Sequence, residues 1–166
     1  MKFVEYAAWS RRSRGATPST HPVGKVQGVT FHWEGPHMGA FPHEKCAEKV
    51  RGIQGFHRDG RGWADVAYNA LVCPHGYIYE GRGPNTASAA NGYSTANATW
   101  YAVCYLGGER DPLTDAGKQG FRDAVQWLRT EGNAGPEING HRDHKATACP
   151  GKDRRERPSP EDCGPS

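Results

Sequence analysis

Two histidines and a cysteine carry the clearest chemistry in this sequence. In the segment Gly140-His141-Arg142-Asp143-His144-Lys145-Ala146-Thr147-Ala148-Cys149-Pro150-Gly151, an imidazole and a thiol are separated by a short loop. Imidazole nitrogen and thiolate sulfur both suit Zn2+. Two protein ligands do not complete a site. His32 is the candidate for the third, because it ends an apolar run just before a Gly/Pro loop. Three ligands leave one tetrahedral corner for water, the arrangement of a catalytic ion. Two other readings stay open at this point. Each His can be an ordinary surface or hydrogen-bonding residue, and Cys149 with His141 as base would make a cysteine hydrolase.

Bringing distant ligands together requires rigid elements. Residues 25–32 (KVQGVTFH) read as a strand ending at His32. Residues 43–57 place Cys46, Val50, Ile53 and Phe56 on one helical face. Residues 65–73 and 77–80 are β-prone runs around Pro74-His75-Gly76, the pattern of a hairpin. Residues 81–99 form a long polar loop of the kind that is often functional in a compact domain. Residues 100–106 are an apolar run of strand length. Thr114 then caps a helix whose Phe121, Ala124, Val125 and Leu128 recur at i, i+3, i+4 and i+7. Residues 132–136 end that helix, and residues 137–140 lead back to the His/Cys segment.

Strands and helices interleave, with hairpin-like pairs among them. The fold class expected is α/β: a single domain with a central mixed β-sheet flanked by helices. Its parts are an irregular lead-in over residues 1–24, a core over 25–151, and a charged, Pro-rich tail or linker start over 152–166. The length of 166 residues fits one domain with a real core. A net charge of +3 without a dominant Lys/Arg stripe argues against a nucleic-acid partner. No stretch approaches the roughly 20 apolar residues of a membrane span, so no membrane insertion is expected. The start of the chain lacks the apolar segment of a signal peptide. The expectation is synthesis in a host cytoplasm, with action on an outside target after release by another agent. Five Cys without a C-x-x-C pair indicate neither a disulfide framework nor a four-Cys zinc knuckle. Cys73 and Cys104, in apolar runs, read as small buried residues.

The ordered blocks resemble the peptidoglycan recognition protein and phage-type N-acetylmuramoyl-L-alanine amidase family. They are Val29-Thr30-Phe31-His32; Val50-Arg51-Gly52-Ile53-Gln54 with Phe56-His57; Gly62-Trp63-Ala64-Asp65-Val66-Ala67-Tyr68-Asn69; Gly76-Tyr77-Ile78-Tyr79-Glu80-Gly81-Arg82; Leu106-Gly107-Gly108; and Gly140 to Asp143 with Thr147 to Gly151. The resemblance implies zinc held by His32, His141 and Cys149. It implies Tyr68 beside the metal and Thr147 lining the site. It also implies cleavage of the amide between the lactyl group of N-acetylmuramic acid and L-alanine, with peptidoglycan as the partner and a monomeric enzyme. The absence of a signal peptide fits a phage endolysin.

Zn2+ lowers the pKa of its water from about 15.7 to near 7, and donors such as Tyr68 and Thr147 suit a developing oxyanion. For Tyr68 the competing reading is a packed strand aromatic. Ser88 stands where many relatives have a His, and Cys104 where some have a Glu base. Glu34, close after His32, is a substitute base or a solvated loop carboxylate. Trp33, Glu34, Ser88 and Tyr93 are the expected substrate contacts; Trp33 and Tyr93 are aromatics that stack on sugar or peptide or sit at a rim. His37, His43, His57, His75 and His144 are not assigned to the metal. A second function class remains: a module of the same fold that binds peptidoglycan without cutting it. Cys149 favours catalysis, since the resemblance implies that non-catalytic members commonly replace it.

Overall fold

A strand with apolar residues on both faces belongs in the middle of a sheet, and Trp100–Gly108 is buried along its whole length. The computed structural model describes residues 1–18 and 26–140. In chain order the elements are β1 (Lys2–Val4), α1 (Tyr6–Trp9), β2 (Gly28–Gly35), α2 (Cys46–Gly55), β3 (Ala70–Val72), β4 (Tyr77–Glu80), α3 (Ser94–Thr99), β5 (Trp100–Gly108), α4 (Asp115–Gly132) and β6 (Glu137–Gly140). The sheet runs β1-β4-β3-β5-β2-β6. Every neighbouring pair is parallel except the β3–β4 hairpin. The expected mixed sheet with flanking helices is therefore present.

Alternation along β5 divides the core in two. Tyr101, Val103 and Tyr105 pack with Val29, Phe31 and the buried face of α4, which presents Phe121, Ala124, Val125 and Leu128. Phe31 meets Phe121 edge-on, with ring centroids 5.0 Å apart. That geometry adds about 0.5–1.5 kcal/mol beyond area burial. Ala102, Cys104 and Leu106 face the other way, onto α1 and α2 through Trp9, Cys46, Val50 and Ile53. Thr114 caps α4 as expected, its hydroxyl accepting from the Gly117 amide at 2.9 Å. Asn133 ends the helix in the left-handed region.

Several boundaries differ from the sequence reading. The lead-in is not irregular throughout: β1 pairs in parallel with β4, and Trp9 Nε1 donates to Glu80 O at 2.8 Å. Three-residue and four-residue elements are too short to show a period, and tertiary pairing creates them. β2 runs past His32 to Gly35. Of residues 65–73 only Ala70–Val72 is strand. The preceding stretch is tied by side chains instead, with Asn69 bonded to the backbone of Ala102, Gly83 and Thr86. The long loop contains α3, whose six residues are too few to carry a pattern. No helix among the described residues is long and apolar enough to cross a membrane.

Candidate functional site

The groove lies at the carboxyl end of β2, where open α/β sheets characteristically hold ligands. Its volume is about 940 Å3, and its lining includes His32, Trp33, Glu34, His57, Trp63 and Tyr68. Val29 and Phe31 point toward α4, so alternation turns His32 and Glu34 to the opposite face. A π-helical turn over Phe56–Gly60 continues α2 and supplies one wall. The loop through Ala89, Ala90 and Gly92 supplies another.

His32 is 1% exposed, and its Nε2 lies 2.7 Å from Asn91 Oδ1. Asn91 spends its amide hydrogens on Ala96 O and Trp100 O, at 3.2 and 2.9 Å. Its Oδ1 is therefore the acceptor, and His32 Nε2 must carry the proton. That tautomer makes Nδ1 the lone-pair nitrogen, the form in which imidazole ligates a metal. Tyr68 lies beside it, with ring centroids 5.5 Å apart.

His57 is the other buried imidazole among the described residues of the groove. The Ala67 amide donates to its Nδ1 at 3.0 Å, which leaves the hydrogen on Nε2. Burial, with Arg61 and Arg82 nearby, lowers its pKa to about 4. Tyr68 stands 5.7 Å from His57, centroid to centroid. Burial raises the Glu34 carboxyl to about 7, and its Oε2 is buried with no hydrogen-bond partner among the described residues.

Conserving this wall is the work of residues that never reach the groove. Asp65 accepts from Tyr6 Oη, the Gly15 and Val66 amides and Gln54. Arg82 donates from Nε to Val66 O and from a terminal nitrogen to Ala87 O, at 2.8 and 3.1 Å. Both groups fix the backbone on either side of Tyr68.

Of the site residues inferred from sequence, His32, Trp33, Glu34 and Tyr68 converge on the groove. Ser88 is buried behind the lining, its hydroxyl donating to Asn97 Oδ1 at 3.3 Å. Tyr93 is 51% exposed, next to the groove-lining Gly92. His141, Thr147 and Cys149 lie outside the described residues. β6 brings its last described residue, Gly140, into register with Phe31, one position before His32. Asn91 and His57 were missed as site residues. The His57 signal was present, since it sits in a quoted block, but nothing in a polar loop distinguishes Asn91. Another donor set, His43, Cys46 and Cys73, shares no residue with the groove lining.

The profile of the family described as N-acetylmuramoyl-L-alanine amidase matches residues 22–152. Mouse peptidoglycan recognition protein 1 is 32% identical over 136 residues, covering 79% of this chain and 71% of that protein. Mouse N-acetylmuramoyl-L-alanine amidase is 31% identical over 140 residues, covering 81% of this chain and 26% of that protein. In fold, the chain is similar to bumblebee PGRP-SA at a TM-score of 0.83 and 18% identity, over 94% of this chain and 92% of that one. It is also similar to human PGRP-IβC, solved with glycosamyl muramyl pentapeptide, at 0.77 and 24% identity, over 91% and 90% of the chains.

Proposed function

The chain belongs to the N-acetylmuramoyl-L-alanine amidase family, and on that premise we propose that it hydrolyses the amide joining the lactyl group of N-acetylmuramic acid to L-alanine in peptidoglycan. The observation that carries the reading is the buried His32, held by Asn91 in the ligating tautomer beside Tyr68 on an open groove. The donor chemistry fits zinc. His32 presents Nδ1, and Gly140, the residue before His141, pairs with Phe31 beside it. His141 and Cys149 are the proposed remaining ligands.

When bound, zinc would supply an activated water and polarise the scissile carbonyl. The protein's own groups do the rest. Tyr68 puts a phenol on the groove wall, where its hydrogen stabilises negative charge growing on the carbonyl oxygen. Thr147 is proposed as a second donor. Glu34 shares the His32 face of β2 and has one oxygen without a partner, so it is placed to take a proton from water and pass it to the leaving nitrogen. Water adds to the carbonyl carbon, the C–N bond breaks, and the alanine amine leaves protonated. Trp33 offers an aromatic face for the glycan or stem peptide. We further propose that the chain acts on the cell wall as a phage lytic enzyme, made in the host cytoplasm and released by a separate agent.

A binding module without catalysis is the second reading, favoured by the likeness to a peptidoglycan recognition protein. Digestion of purified peptidoglycan separates the two. Hydrolysis releases new N-terminal alanine in step with bound zinc, and chelation stops it while added zinc restores it. Sedimentation with the wall and no new amine would support the binding module. Full activity of the metal-free protein would remove zinc from the mechanism.

A further inference from the structure

The start of α2 and the end of β3 meet at three side chains that ligate soft cations. His43 lies on the single turn His43–Lys45 that leads into α2, Cys46 opens α2, and Cys73 directly follows β3. One donor atom from each lies within 4.8 Å of the other two. Both thiols are fully buried, in a layer otherwise built of apolar side chains. Nδ1 of His43 is buried and has no hydrogen-bond partner among the described residues. Its ring is fixed by stacking on Tyr77, with centroids 3.8 Å apart and planes 26° apart. At Cys73 the Cys46 thiol, the backbone amides of His75 and Tyr77 and the His43 side chain direct hydrogen bonds at the sulfur, surroundings that favour a thiolate.

We propose that His43, Cys46 and Cys73 form a second cation site, separate from the groove, that takes Zn2+ through two thiolates and one imidazole. One imidazole and two buried sulfurs gathered at an apolar layer form a compact soft donor set that suits a zinc ion. Binding displaces the hydrogen that Cys46 directs at Cys73, so both sulfurs ligate as thiolates and the proton leaves to solvent. The ion pins the first turn of α2 to the sheet. The far end of α2 runs into Phe56 and His57 of the groove wall, so the site supports the groove's shape without entering it. This inference does not rest on the amidase reading.

The test uses the full chain carrying His32→Ala, His141→Ala, Cys149→Ser and Cys163→Ser, which removes the three proposed groove ligands and the remaining tail thiol. Zn2+ stoichiometry is measured by mass spectrometry under non-denaturing conditions, and Co2+ is added as a spectroscopic probe. The expected result is one equivalent of metal, with thiolate-to-cobalt charge-transfer absorption. Cys46→Ser and Cys73→Ser, each added to this background, should abolish the absorption. His43→Gln keeps both buried thiols, which guards against a trivial loss of folding; it should weaken Zn2+ binding at least tenfold with an unchanged circular dichroism spectrum. No bound equivalent, or absorption that survives the loss of Cys46 and Cys73, overturns the proposal. So does a Cys46–Cys73 disulfide that persists in reductant and takes no cobalt. Because the background already lacks the groove ligands, each outcome is independent of whether the groove cuts peptidoglycan.

Discussion

His32 donates its Nε2 hydrogen to Asn91 Oδ1 across 2.7 Å, and both side chains are buried. A second-layer bond of this kind sets which nitrogen faces a metal, and its loss typically costs 10–100-fold in affinity. Asn91→Ala is therefore expected to weaken zinc binding at the groove by about 10–100-fold while the circular dichroism spectrum stays native. A chelator-competition titration reads the change, and affinity equal to wild type would show that Asn91 does not orient the ligand.

Tyr68→Phe removes one hydroxyl and keeps the ring that lies against His32 and His57. The expected outcome is a fall in kcat of about 10²–10³ with zinc content unchanged, the size of losing one oxyanion donor. Paired activity and metal measurements decide it. If zinc falls in parallel with rate, the phenol supports the metal site rather than the oxyanion.

His57 makes stability depend on pH in a defined window. Its pKa is lowered to about 4 from an ordinary value of 6.5, by burial first and then by Arg61 and Arg82. Above 6.5 neither the folded nor the unfolded chain holds the proton, and the contribution is fully present. Between 6.5 and 4 the unfolded chain takes a proton that the folded chain refuses, so stability falls as pH falls. Urea unfolding at pH near 7.5 and near 4.5 should show wild type losing on the order of 2–3 kcal/mol more than His57→Asn. Equal losses in the two proteins would mean that the imidazole is not excluded from water.

Asp65 gathers donors from three separate parts of the chain: Tyr6, Gly15 and Gln54, besides its neighbour Val66. Burial alone raises its pKa, but the bonds from Gly15, Tyr6, Val66 and Gln54 outweigh it and hold the carboxyl below 3.8. Its contribution is present above that value and is lost as pH falls through the lower folded one. Asp65→Asn should cost about 2–4 kcal/mol at neutral pH, since charge-assisted bonds are lost and donors are left buried. Tyr6→Phe should cost about 1–2 kcal/mol. Thermal melts at pH 7 test both, and a melting temperature unchanged by Asp65→Asn would contradict the role.

The sheet was legible because its central strands are long and apolar. Residues 100–106 are an unbroken apolar run of strand length, and α4 spells out its face through Phe121, Ala124, Val125 and Leu128. His32 was legible as well, since it breaks an apolar strand with a group that must be bonded when buried. Asn91 was not, because one Asn in a loop of Ala, Asn, Gly and Ser carries no pattern; only the chain path that carries residue 91 to residue 32 reveals it. Cys46 read as part of the apolar face of a helix and Cys73 as a small buried residue, which their burial supports, yet their nearness to each other and to His43 is a product of topology. β1 and α1 were hidden because their order comes from contacts with β4 rather than from their own composition.

Those first nine residues matter to anyone recutting the domain. A fragment begun at its earliest recognisable motif would leave β4 with a bare row of backbone donors and acceptors, and would vacate the space filled by Tyr6 and Trp9. Such an edge is a template for pairing with another chain. A trimmed domain grafted onto a foreign targeting module should therefore precipitate during expression, even with every groove residue intact.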